Sequence, residues 1–280
     1  MSARLSINLL LRANFYRLWR SASFWVAVSV MFGVGVFELA VGVHAQRQGA
    51  PVPLDNRYML FVLMSGVVLS AFCSLFVGAE YSDGAIRNKI AVGHSRANLY
   101  LANLATCSAP GVLVCLGDIL PMTAAGIPLM GGFTLPPASV LWFTLCAFLM
   151  TASLCAVFTM AALLNQNKAV VAIVCIFLAY FLLFLGIYLN SRLTEQAVIP
   201  AREYIENGQI LVREAMPNPA YVQGLKRTIF EALYDLPGCQ AVQLIAAAEA
   251  RPIRLPLVSF CAAAISTAAG LALFRRKDLK

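Results

Sequence analysis

Six apolar runs, each about 20 residues or longer, constrain this chain more than any other feature. They cover Phe24–Val43, Met59–Val77, Leu101–Ala125, Ser139–Leu164, Ala169–Leu189 and Leu255–Phe274. A bilayer hydrocarbon core about 30 Å thick is crossed by about 20 residues of helix, in which every backbone polar group is satisfied internally. Hydrophobic residues make up 60% of the chain and charged residues only 12%, where an ordinary soluble domain carries about 25% charged residues. A soluble fold cannot hide that much apolar surface. The sequence therefore predicts an all-α membrane protein, residues 1–280 forming a single transmembrane domain with six spanning helices.

The formal charge of +8 is not a nucleic-acid signal, because the basic residues are gathered at the ends of apolar runs rather than on one soluble face. There they report orientation. With the N-terminus inside, the inner segments carry Arg4, Arg12, Arg17, Arg20, Arg87, Lys89, Arg96, Lys168, Arg275, Arg276, Lys277 and Lys280, and the short outer loops only Arg47 and Arg57. The long segment 190–254 has seven basic and seven acidic residues and is neutral. This bias predicts a multi-pass protein of the plasma (inner) membrane with both termini cytoplasmic. The first twenty residues have a charge every few positions and so lack the apolar centre of a cleavable signal. Residues 5–20 read as an interfacial helix on the membrane lipid, with Leu5, Leu9, Leu10, Ala13 and Tyr16 on one side, Trp19 at the interface, and Arg12, Arg17 and Arg20 reaching phosphates.

Material for a catalytic site is scarce. Of eight cysteines, seven lie inside apolar runs, where cysteine behaves as a small hydrophobe. There is no C-x-x-C, and the two histidines, His44 and His94, fall on opposite sides of the membrane in this topology. The expectation is no metal and no catalytic residue.

The segment between the second and third runs, residues 79–96, is the most informative. Ser82 and Asp83 are placed to cap a short helix through Ile90, Gly93 to end it, and Ser95 to cap the helix that continues into the third run. Ile86 and Ile90, four apart, share a face, with Arg87 and Lys89 on others. From spacing alone two readings stand: an amphipathic helix docking a cytoplasmic partner, or a basic inner loop that only sets orientation. The residues EYSDGAIRNKIAVGHSRANLY resemble the inner loop of ABC-2 type permeases, the membrane subunits of ABC exporters. An acidic residue and an aromatic (Glu80, Tyr81) open it. A G-x-[IL]-[RK]-[NS]-[KL] stretch follows (Gly84, Ile86, Arg87, Asn88, Lys89), and then a [ST]-R pair (Ser95, Arg96). The resemblance implies a coupling helix, with Glu80, Tyr81, Asp83, Gly84, Ile86, Arg87, Lys89, Ile90, Ser95 and Arg96 joining an ABC ATPase subunit to the spans. It also implies two ATPase copies and a second permease copy, as a homo- or heterodimer. The chain has no Gly-Lys pair and so no G-x-x-x-x-G-K-[ST] loop. ATP and Mg would be bound on the separate subunit, with no cofactor on this chain.

Other residues carry open alternatives. Glu38 and Asp118 lie within apolar runs at similar height, where ionised groups are costly. They line an outward vestibule, or pair with Arg47, Arg57 or an arginine of the long segment. Gly66, Ser70, Ser74 and Gly78 form a small-residue stripe that serves helix packing within the chain or borders a path. Pro110 and Pro121 bend the third span or merely shape it. The segment 190–254 is expected to be extracellular and helical, with one amphipathic helix over Tyr221–Leu236 and a second over Gln240–Glu249, broken by Pro237 and Gly238. The expected function is export of a hydrophobic or amphipathic substrate (peptide, lipid or drug), powered by ATP hydrolysis on the partner. The alternatives are a non-transporting membrane sensor or assembly module, and an intramembrane enzyme using Glu38 or Asp118.

Overall fold

The computed structural model describes residues 3–50, 52–206, 209–246 and 253–277, with the backbone alone for residues 3–6, 202–206 and 209–213. Among the described residues, six helices are long and apolar enough to cross a membrane. They are α2 (Ala22–Arg47), α4 (Phe61–Ser82), α6 (Arg96–Ala124), α8 (Pro137–Leu164), α9 (Lys168–Leu193) and α12 (Arg254–Arg276). Each contains or nearly coincides with one of the apolar runs. Short helices join them: α3 (Leu54–Tyr58), α5 (Ala85–Ala91), α7 (Gly126–Met130), α10 (Gly224–Tyr234) and α11 (Gln240–Ala246), with α1 (Ala3–Trp19) leading the chain.

Helices α4, α6 and α8 pack on one another and form the inner layer of the bundle. Helix α2 lies on α6 and α4, α9 on α4, and α12 on α8. Close approach is set by glycine. A Cβ on Gly35 of α2 would lie 2.6 Å from the Asp118 carbonyl of α6, and one on Gly117 of α6 would lie 2.9 Å from the Val28 carbonyl of α2. At Gly270 of α12 a Cβ would meet the Tyr100 hydroxyl of α6 at 2.1 Å. Between helices in lipid, dispersion at such contacts holds the pair together, since water supplies no drive there.

Two expectations are corrected. The face of α1 that packs into the protein is Leu10, Asn14 and Leu18, while Leu9, Ala13 and Tyr16 are exposed. Arg17 turns inward rather than toward phosphates (Leu5 has no described side chain). The segment 190–254 is not all helical. Strand β1 (Val198–Ile199) pairs antiparallel with β4 (Met216–Pro217), and β2 (Arg202–Glu206) with β3 (Gln209–Arg213). The residues between β2 and β3 are Asn207-Gly208, the sequence signal of a tight hairpin, although they lie outside the described residues. The two expected helices exist as α10 and α11; residues 247–249 of the second also lie outside the described residues. The apolar stripe of the amphipathic helix α10 faces away from the rest of the protein: Leu225 is 77% exposed, and Ile229 and Leu233 are exposed with it.

Candidate partner-coupling site

Helix α4 ends at Ser82, and α5 begins three residues later. Gly84 makes the reversal with φ 67°, a left-handed conformation that costs a residue with a Cβ about 1–2 kcal/mol. Ser82 and Asp83 do not cap α5: Ser82 is the last residue of α4, its hydroxyl bonded back to the Gly78 carbonyl at 3.3 Å, and Asp83 is the C-cap of α4. The far end follows expectation. Gly93, at φ 98°, closes α5 after Val92, and the Ser95 hydroxyl accepts from the Asn98 N–H at 3.2 Å to cap α6.

Glu80 organises what surrounds this turn. It is 0% exposed. One oxygen takes a hydrogen bond from Asn103 Nδ2 of α6 at 3.0 Å. The other faces Lys89 Nζ of α5 and, at 3.2 Å, Arg17 Nη2 of α1. Lys89 also donates to Asn14 Oδ1 of α1 at 2.9 Å, and the Arg17 guanidinium stacks 4.0 Å from the Phe76 ring centroid. A buried acid of this kind persists only when paired and hydrogen-bonded. Glu80 is therefore a cross-strut that ties α1, α4, α5 and α6 at one point.

A second junction involves Tyr81 and Arg96. Tyr81 donates its hydroxyl hydrogen to the Leu163 carbonyl at the end of α8. Lys277 Nζ reaches both that hydroxyl and that carbonyl, each at 3.1 Å. Burial holds the Lys277 ammonium below the usual lysine range. Arg96 Nη1 donates to the carbonyls of Phe274, Arg275 and Lys277, which have no helical partner at the end of α12. The chain's leading helix, the α5 loop and the end of its last span thus meet at the same end of the bundle.

This arrangement corrects the role expected of two isoleucines. Ile86 is 1% exposed and Ile90 is half-buried; both face the protein's own core. The surface that α5 presents outward is Arg87, Asn88, Ala91 and Val92, with Asp83 beside it. Val92 is 80% exposed. A cavity of about 120 Å³ opens beside Arg87, between Glu80, Tyr81, Ile86, Arg87 and Gln166.

The remaining candidates sit elsewhere. Glu38 forms an ion pair with Arg57 at 2.7 Å, the pairing alternative for that residue. Asp118 is 1% exposed, and its Oδ2 has no hydrogen-bond partner. Gly66, Ser70, Ser74 and Gly78 are all buried: Cβ atoms on Gly66 and Gly78 would meet Leu154 of α8 and Lys168 of α9. The stripe packs within the chain. Helix α6 runs without interruption through Pro110 and Pro121.

Sequence reasoning passed over Asn14, Asn103, Lys277 and the inward turn of Arg17. The signal available was a polar residue inside an apolar stripe: Asn14 lies between Leu10 and Leu18 at four-residue spacing, and Asn103 lies one turn into the third apolar run. Among the described residues there is no group of three or more His, Cys, Asp or Glu able to hold a metal. A comparison with protein-family models matches none of them, and a comparison with curated proteins finds no match.

Proposed function

We propose that this chain is the permease subunit of an ABC-type exporter, moving a hydrophobic or amphipathic molecule across the plasma membrane. The end of the bundle that holds α1, α5 and the end of α12 is then cytoplasmic, and both termini lie on that side. Helix α5 is the coupling helix. It takes up the movement of a separate ATPase subunit, which binds ATP and Mg, and passes it to the spans. Two ATPase copies and two permease copies complete the machine.

The observation that carries this reading is the mounting of α5. Its inner face is fastened to three other helices through Glu80, Lys89 and Ile86, while its outer face is open and has an exposed apolar residue, Val92, flanked by Arg87. A short helix that is rigid toward its own protein and bare toward solvent is suited to receive force from a partner. A basic loop that only sets orientation needs neither a buried acid nor an exposed valine.

The test is co-purification with a candidate span-free ABC ATPase. Arg87→Glu combined with Val92→Asp is expected to abolish association while leaving the thermal melting of the isolated permease unchanged. Association and coupled ATP hydrolysis at the wild-type level in that variant would refute the assignment. Ile86 is unsuitable for this purpose, since an acid there disrupts the fold itself.

A further inference from the structure

We infer that the end of the bundle opposite α5 has a binding cleft for the zwitterionic headgroup of a phospholipid with a primary ammonium. This depends on the six-span reading and not on coupling to an ATPase. The cleft, about 110 Å³, lies between the last turn of α9, helix α10 and helix α11. At its floor is Asp235, a buried residue whose carboxylate has only long side-chain contacts among the described residues: Gln243 Nε2 is 3.4 Å from one oxygen and Arg254 Nη2 is 3.5 Å from the other. Gln243 gives its shorter bond, 2.7 Å, to the Tyr234 carbonyl instead. A desolvated carboxylate with two long contacts has acceptor capacity left for a donor cation.

The opposite charge is also present. Arg227 holds Glu231 through its Nε at 3.2 Å, and its two terminal nitrogens take part in none of the hydrogen bonds found among the described residues. They offer a fork of N–H donors suited to a phosphate. Leu193 and Ala246 supply apolar wall, and Asn190 and Thr194 supply polar rim. A molecule with an N–H cation at one end and an anion a few bonds away satisfies both ends of this cleft. A cation alone leaves Arg227 unused, and an anion alone meets the Asp235 carboxylate.

Position selects the source. Helix α9 has 26 residues, about 39 Å at 1.5 Å per residue, and so exceeds a hydrocarbon core of about 30 Å. Its Asn190–Thr194 end then stands at headgroup level. The surroundings match that depth: Arg192 over the Tyr188 ring and Lys226 over the Phe230 ring, and the exposed Leu225, Ile229 and Leu233 of α10, which are suited to lie among acyl chains. An ammonium with N–H groups donates to Asp235, whereas a trimethylated one has no proton to donate. The cleft thus prefers ethanolamine over choline headgroups.

The test is native mass spectrometry of the full chain in detergent, titrated with lipids of identical acyl chains and headgroups bearing zero, one, two or three N-methyl groups. Retention is expected to fall with each methylation, to a total of roughly tenfold, the affinity worth of one charge-assisted hydrogen bond. Asp235→Asn is expected to remove the preference and Arg227→Gln to weaken all four lipids alike. Arg254→Gln, which removes a partner of Asp235 but leaves its carboxylate, is expected to preserve it. Free phosphoethanolamine is expected to compete only at far higher concentration. Equal retention across the methylation series in the wild-type chain overturns the proposal, as does a preference that survives Asp235→Asn. Displacement by phosphoethanolamine at lipid-like concentration overturns the lipid as occupant.

Discussion

Replacing Glu80 tests the mounting of α5 most directly. Glu80→Ala removes the acceptor of Asn103 and the counter-charge of Arg17 and Lys89 together. Breaking a buried ion pair by deleting one partner costs about 3–5 kcal/mol. Here the acid is fully buried, but the side chains of Arg17 and Lys89 are 29% and 19% exposed, so water screens part of what is lost. The expectation is about 2–4 kcal/mol, or roughly 5–15 °C in melting temperature for a chain of this size. Glu80→Gln keeps one hydrogen-bonding carbonyl and is expected to lose less. The assay is thermal unfolding of the detergent-solubilised chain, followed by a double-mutant cycle of Glu80→Gln with Lys89→Met. Because the two residues touch, their effects should be non-additive by about 1–3 kcal/mol. A Glu80→Ala chain that melts within 2 °C of wild type (about half a kcal/mol), or a cycle with no coupling, would sink the view of Glu80 as a strut.

Four further outcomes are open to the same measurement. Gly270→Ala drives a methyl into the Tyr100 hydroxyl, so melting is expected to fall by an amount typical of overpacking, about 1–3 kcal/mol, and Tyr100→Phe in the same chain, which removes that hydroxyl without opening a large cavity, should recover part of it. Gly78→Val drives a side chain into Lys168, 2.5 Å from the position of a Cβ, and should loosen α4 from α9; unchanged melting would show that the start of α9 yields freely. Arg57→Gln and Glu38→Gln should each destabilise by about 1 kcal/mol, and the double variant by less than the sum; strict additivity would disprove the pair. Asp118→Asn should cause no loss of stability, because its Oδ2 has no partner to lose and an amide carries no charge to desolvate; a drop of several degrees would show a contact the structure does not contain.

The six spans were legible because membrane crossing requires only length and hydropathy, both of which are local. The end of α5 and the cap of α6 were legible for a similar reason: Gly93 and Ser95 act on their own backbone within three residues. What Ile86 faces was not legible. Its spacing with Ile90 defines a shared face but not whether that face meets the bundle or a partner, and the answer depends on Glu80 drawing Lys89 inward from nine residues away. The strands of segment 190–254 were hidden by the neighbouring amphipathic helix patterns, although the alternation in EYIE and QILVR around Asn207-Gly208 was readable. The headgroup cleft could not be read at all, because Asn190, Arg227, Asp235 and Gln243 come together only when α10 and α11 fold back on α9. Gly238, at φ 97°, turns the chain there, and a Cβ on Gly186 would lie 2.9 Å from the Cys239 Cα.

A buried ion pair is weak evidence for stability, since apolar residues of similar volume often hold the same place as well or better. Its stronger use is to fix one arrangement. The Glu80 cluster reaches four helices from one carboxylate, so any displacement of α5 must move α1, α4 and α6 with it or break charge-assisted hydrogen bonds to a fully buried carboxylate. An apolar replacement would still pack but would permit sliding. This separates stability from transmission. The triple variant Arg17→Leu, Glu80→Leu, Lys89→Met is expected to melt near or above wild type and still to bind the ATPase through Arg87 and Val92. Under the proposed function, the ATPase bound to it is expected to hydrolyse ATP without matching transport in reconstituted vesicles. If transport per ATP stays at the wild-type value in that variant, the cluster is a packing device only, and force enters the spans through the helix connections rather than through Glu80.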